Sequence, residues 1–199
     1  MVKMGKINMR ERTYSTEGII LKRRNWGEAD KILTIFSKNH GKIRVVGKGV
    51  RRPTSRKRGS LELFSYTHIM LANGRSLDII TDAEIKESFD SWREDLVKVG
   101  VAYHLCEIVD RLTAEQQENK EVFNLLLASL RSLENLDYWQ LYPLTENFKV
   151  KVLEELGFLE RQPKADQPRA GIPKNLDAYI ENLINGSLRT KRFLKTLTT

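Results

Sequence analysis

From Ser15 to Glu87 the hydrophobic residues fall in short runs with a period of two, broken by turn residues. STEGIILKRR reads as a first strand, ending in Lys22, Arg23 and Arg24. The loop NWGEAD follows, turning at Gly27. ADKILTIFSK is a second strand, with Ile32, Thr34 and Phe36 alternating against Leu33 and Ile35. Asn39-His40-Gly41 predicts a tight hairpin turn into a third strand, GKIRVVGK. LELFSYTHIMLA predicts a long fourth strand, Asn73-Gly74 a hairpin, and SLDIITDAEIKE the fifth strand. Five short strands with hairpins and no helical pattern between them predict a small closed barrel.

From about Ser88 the period becomes helical. Trp92, Leu96, Val99, Tyr103 and Cys106 form one stripe, and Val101, Leu105, Ile108 and Leu112 a second. A helix apolar on two sides predicts the centre of a bundle. Asn119 is placed to cap a helix in which Phe123, Leu126, Leu127, Leu130 and Leu133 share a face. A third helix runs through Leu144, Phe148 and Val152 to Leu156, with Pro143 at its start or at a kink and Gly157 as its C-terminal cap. Residues 160–175 hold three prolines and little apolar content and read as loop. Asn175 caps a short helix ended by Asn185-Gly186, and SLRTKRFLKTL predicts a last helix. The expected class is α+β: a basic N-terminal arm over residues 1–13, a barrel over 14–84 and a helical domain over 88–199.

Charge sharpens this division. The net charge of the 199 residues is +8. Residues 1–80 carry 18 Lys and Arg against 6 Asp and Glu, whereas residues 81–199 carry 16 against 20. A basic nucleic-acid module joined to a domain with another task fits such asymmetry. The basic residues concentrate in KIRVVGKGVRRPTSRKRGS, residues 42–60, with eight cations and no acid. Five of the eight are arginine, whose planar fork suits phosphate. A solvated loop is the alternative reading of such a run. Two further residues are candidates for stacking bases. Trp26 sits in a predicted loop beside Arg23 and Arg24, and Tyr66 shares a strand face with Phe64 and His68. The alternative for the second is that this face packs on the helices.

No catalytic constellation is present, so the expectation is a non-enzyme. Gly47-Lys48-Gly49 lacks the third glycine and the helix of a dinucleotide fingerprint. His104 and Cys106 stand two apart on a predicted helix and diverge. With one cysteine the chain has neither a disulfide nor a thiolate zinc cage. No run reaches membrane-span length and the N-terminus lacks a signal-peptide core, so the expected location is cytoplasmic.

The first-strand basic cluster, the GEAD loop, the HGK turn, the KGVRRPTSR segment and the GRSLDIITDAE hairpin occur in one order over residues 17–89. In that combination the chain resembles the bacterial RecO family of DNA-repair proteins. The LEELGF helix end and the basic SLRTKRFLKTL segment resemble it more loosely. The resemblance implies an N-terminal OB-fold barrel and a C-terminal helical domain. It implies binding of single- and double-stranded DNA, annealing of complementary strands, and help in loading RecA together with RecR. It implies docking of the acidic tail of single-strand-binding protein, an association with RecF, and a nucleoid-associated location. Many members of the family carry a four-cysteine zinc site after the helix that ends here at Gly157. Residues 158–172 of this chain hold no cysteine, and no metal or other cofactor is expected.

The expected interface is electrostatic. Lys22, Arg23, Arg24, Arg44, Lys48, Arg51, Arg52, Arg56, Lys57 and Arg58 would hold sugar–phosphate backbones, with no element placed to read base edges. Arg189, Lys191, Arg192 and Lys195 are candidates for docking the protein tail. Two other function classes fit the residues taken alone: an RNA-binding barrel, and an interaction scaffold acting through its helices.

Overall fold

The structure is a computed structural model that describes residues 12–161 and 171–191. Five strands form a closed barrel in the order β1-β2-β3-β5-β4: β1 (Thr13–Trp26), β2 (Asp30–Ser37), β3 (Gly41–Gly47), β4 (Tyr66–Ala72) and β5 (Asp78–Glu87). This is the OB-fold arrangement. Neighbours are antiparallel except β3 and β5, which meet in parallel at Val45–Asp78 and Val46–Ile79. β1 is longer than its apolar run suggests. It pairs with β4 over Thr13–Ile19 and with β2 over Gly18–Trp26, and a bulge between Ile20 and Lys22 turns it from one neighbour to the other.

Ile19, Ile20 and Leu21 are buried in succession because β1 is covered on both faces. Ile20 points into the barrel, with Leu33, Ile35, Val45, Ile69 and Leu71. Ile19 and Leu21 point out, into a second core that they share with Phe36, Tyr66 and the helices. The barrel is therefore apolar inside and, along β1, apolar outside as well.

The helices are α1 (Asp90–Arg93), α2 (Leu96–Leu112), α3 (Lys120–Ser132), α4 (Tyr138–Glu155) and α5 (Leu176–Leu183). α2 occupies the centre: Val101, Leu105 and Ile108 of its second predicted stripe, and Cys106 of the first, are buried, and Leu112 packs partly buried against the core. Leu96 and Tyr103, assigned to a buried stripe by their spacing, are exposed instead. Asn119 accepts from Val122 N–H and Asn175 from Ala178 N–H, as helix caps. α4 starts five residues before Pro143. The Asp137 N–H donates to Gln140 Oε1 at 2.9 Å, which fixes the first turn, and Pro143 costs only one hydrogen bond of the second.

The predicted fourth strand over residues 61–72 is only half strand. Residues 59–61 make a short 3-10 turn, and Phe64 adopts a left-handed backbone with φ 69°. The last helix predicted from Ser187 has not begun by Thr190. Its residues Arg192 and Lys195, the basic arm up to residue 11, and residues 162–170 of the predicted loop lie outside the described residues. Among the described residues no helix is long and apolar enough to cross a membrane.

The two halves are strapped together at β3. The Gln116 N–H donates to the Lys42 carbonyl at 2.9 Å. Gly41, at φ +62°, lies so close to the α2–α3 loop that a Cβ would stand 1.9 Å from the Gln117 carbonyl oxygen. Lys42 reaches the Asp110 carbonyl at 2.5 Å, and Lys22 forms an ion pair with the Asp110 carboxylate. A buried polar cluster fastens the C-terminal segment to the bundle. Lys149, 1% exposed, pairs with Asp177 at 2.5 Å and Glu146 at 2.7 Å, and the His104 Nδ1 lies 2.8 Å from Thr190 Oγ1. Burial, and then the Lys149 charge, push the His104 pKa down to about 4.

Candidate nucleic-acid interface

Cross-strand register places the candidate cations in rows on the outer face of β1-β2-β3. Directly paired residues share a face, so Lys22, Thr34 and Arg44 form one row and Arg24, Ile32 and Val46 the next. The preceding row, Ile19, Phe36 and Lys42, lies beneath the helices. The face thus opens from the covered end towards Trp26 and forms the floor of a trench. Its opposite wall comes from α2 and the C-terminal segment, through Tyr103, Glu107, Arg111, Arg189 and Thr190. The trench has a volume of about 620 Å³ and an apolar base at Leu21, Ile32 and Leu63. Six of its lining residues are cations and one is an acid, Glu107. That carboxylate accepts from the backbone N–H groups of Arg189 and Thr190 and from the Thr190 hydroxyl, at 3.0, 2.9 and 2.5 Å.

These cations are not equivalent. Lys22 is paired with Asp110 and Arg23 with Glu62. Arg24 lies over the Trp26 ring, 5.7 Å from its centroid. Arg44 and Arg111 are exposed and have no ion-pair partner among the described residues. Arg111 stands alone in sequence at the end of an apolar helix, and only the docking of α2 on the barrel brings it opposite Arg44. Lys31 was equally invisible. It sits among Arg23, Arg51 and Arg58, and burial, helped by those like charges, lowers its pKa.

The basic segment between β3 and β4 is an ordered series of turns. Val50 and Leu61 are buried in the barrel core and pin its ends. Gly49 takes φ +66° while its N–H donates to Asp30 at 2.8 Å. Arg51 donates to the Gly27 carbonyl at 3.1 Å, and the Lys57 ammonium to the Ile80 carbonyl at 2.9 Å. Both side chains thereby brace the loop. Lys48, Arg52, Arg56 and Arg58 are exposed, and among the described residues their side chains have no hydrogen-bond or ion-pair partner. The expected ten-residue set therefore divides into ion-paired strand cations, loop braces and cations open to solvent.

Of the aromatic candidates, Trp26 is 53% exposed at the end of β1. Tyr66 is not available for stacking. It is 7% exposed, packs against Phe123 at 6.0 Å, and its hydroxyl donates to Glu17 at 2.6 Å. The same alternation suits a stacking face and a face covered by helices, and here the helices cover it. Lys86, then the Tyr66 hydroxyl, hold the Glu17 pKa down at about 2. Of the docking candidates, Arg189 lines the trench and Lys191 pairs with Glu181 at 2.9 Å.

Cys106 is the single cysteine of the chain and is buried on α2, where burial pushes its thiol pKa up. A four-thiolate zinc site does not fit this chain, and among the described residues no group of three or more His, Cys, Asp and Glu is placed to hold a metal.

Residues 9–89 match the family description "Recombination protein O N terminal" and residues 93–160 match "Recombination protein O C terminal". The chain is 46% identical over 125 residues to the DNA repair protein RecO of Roseiflexus sp., covering 63% of this chain and 44% of that protein. It is 40% identical over 145 residues to the DNA repair protein RecO of Pelotomaculum thermopropionicum, covering 73% and 56%. The same identity over the same length relates it to the DNA repair protein RecO of Symbiobacterium thermophilum, of which 57% is covered. The chain thus spans about half the length of the curated relatives it matches. With a closed OB barrel, a helical bundle docked on β1 and both halves matched in order, this chain belongs to the RecO family.

Proposed function

We propose that this chain is a DNA-binding recombination mediator in DNA repair, acting by binding rather than catalysis. It holds single- and double-stranded DNA without sequence specificity, anneals complementary strands, and with RecR helps load RecA onto strands coated by single-strand-binding protein. Docking of the coating protein's tail, an association with RecF and a cytoplasmic, nucleoid-associated location belong to the same reading. One observation carries it: the cationic rows on the outer face of β1-β2-β3 lie beside the braced loop bearing Lys48, Arg52, Arg56 and Arg58. Backbone phosphates meet such a surface with release of counterions, and screening two strands from each other lets their bases pair. Nothing in this mechanism needs base edges to be read.

The test is annealing of two complementary oligonucleotides across a salt series, bare and coated with single-strand-binding protein. Salt-sensitive acceleration on both substrates, lost on the coated one when the coating protein lacks its tail, is the expected result. No acceleration on either substrate contradicts the reading.

A further inference from the structure

We propose that Tyr103 is a base-stacking platform that makes the trench a single-strand site. The inference rests on the DNA-binding reading above and names the form of DNA this part of the surface takes. Tyr103 was expected in a buried stripe, yet it is 38% exposed on the trench wall. Its surroundings hold it there. The Phe64 ring meets it at 4.9 Å and 84°, a perpendicular contact that fixes the tyrosine. Phe64 does this from a left-handed backbone, φ 69°, which a bulky residue adopts only when its surroundings impose it. The turn is pinned by the Phe64 N–H to the Ile20 carbonyl at 2.9 Å. It is also pinned by Arg93, which donates to the Leu63 carbonyl at 2.7 Å and Ser65 Oγ at 3.0 Å.

Charge around the ring fits a nucleotide. Tyr103, Glu107 and Arg111 stand four residues apart on one face of α2. Glu107 spends its carboxylate on Arg189 and Thr190, which holds Arg189 against the trench. Arg24 and Arg44 face this wall from the barrel. Guanidinium groups that can donate to phosphate therefore flank both sides of an apolar base, and one wall carries an aromatic ring. A volume near 620 Å³ falls in the range of a small-molecule site, on the order of one or two nucleotides. A base in a duplex is stacked on its neighbours and has no face to offer, whereas an unpaired base has.

The test is equilibrium binding of the full chain to an oligothymidine and to a duplex of equal length. Stacking is worth ~1–3 kcal/mol per base, so Tyr103→Leu is expected to weaken single-strand binding about 5- to 150-fold. Duplex binding is expected to stay unchanged, and Tyr103→Phe to keep the wild-type preference. Crosslinking of the unmodified protein to a 5-bromouracil strand is expected to give an adduct at Tyr103, a readout independent of any variant's folding. Equal losses on both DNA forms, no loss on either, or adducts confined to residues 48–58 overturn the proposal while leaving DNA binding in place. Competition by an acidic peptide that needs Tyr103, with single-strand binding indifferent to it, assigns the trench to a protein tail and also overturns it. Failure of the wild-type chain to bind either DNA overturns the broader reading along with this one.

Discussion

The loop after β3 and the trench beside β1 carry the same sign of charge but are built in different ways. The loop cations Lys48, Arg52, Arg56 and Arg58 lie within eleven residues of one another and depend on the barrel alone. The trench cations Arg24, Arg44, Arg111 and Arg189 come from four separate segments and converge only because the helical half docks on the barrel. The loop projects charge into solvent and suits phosphate in any geometry. The trench adds an apolar base and a ring, which in the proposed interface would distinguish an unpaired strand from a duplex. On the proposed reading a contiguous run would supply strength, and tertiary assembly discrimination.

Gly41→Ala strikes this division hardest. The new Cβ would collide with the Gln117 backbone from a left-handed φ, at a cost of ~1–3 kcal/mol for the backbone alone and more for the clash. The strap between β3 and the α2–α3 loop should open, lowering the melting temperature by several degrees or abolishing folding. Thermal unfolding followed by circular dichroism measures it. In a variant that still folds, the single-strand preference should disappear while duplex binding persists.

Neutralising Lys48, Arg52, Arg56 and Arg58 together comes next. At ~1 kcal/mol per phosphate contact, binding at low salt should weaken by about 10²- to 10³-fold, equally for single strands and duplexes. Fluorescence anisotropy at fixed ionic strength reads this, and a loss confined to one DNA form contradicts the assignment. Arg44→Ala with Arg111→Ala removes one open cation from each trench wall. It should cost single-strand binding about tenfold and duplex binding little. Arg51→Ala or Lys57→Ala, which remove braces, should lower stability without matching the affinity loss of the open cations.

A smaller effect comes from pH. His104 titrates near 6.5 when unfolded and near 4 in the fold, so between these values the unfolded chain binds the extra proton. Stability should therefore fall as pH drops from 6.5 towards 4. Glu17 adds a second acid loss between its ordinary 4.5 and about 2, as its bonds to Lys86 and Tyr66 are broken by protonation. His104→Gln should flatten the upper part of this profile and Glu17→Gln the lower part, in melting temperatures measured across the range.

What could be read from the sequence follows the same physical line. Alternation and turn residues located every strand of the barrel, since those signals are local. The burial of β1 on both faces was not legible, because Ile19-Ile20-Leu21 reads as one apolar run whether or not helices cover the strand. Tyr66 and Tyr103 exchanged roles for one reason: periodicity says which residues share a face, but not whether a neighbouring element covers it. The loop cations were legible as a run. Arg111 and Lys31 were not, since each is a single charge whose neighbours are chosen by tertiary contacts: helix docking for Arg111, barrel closure for Lys31. The division of the run into braces and open cations depends on carbonyls at Gly27 and Ile80 that no pattern announces.

The most direct test measures how affinity varies with salt, for single-stranded and duplex DNA, in the wild-type chain, the four-residue loop variant and the Arg44/Arg111 variant. Each phosphate contact contributes about 0.9 to the slope of log affinity against log salt on a duplex and about 0.7 on a single strand. The loop variant should lose roughly three units of slope on both forms, and the trench variant about one, on single strands alone. Identical patterns for the two variants, or slopes that neither variant changes, would contradict the separation of strength from discrimination.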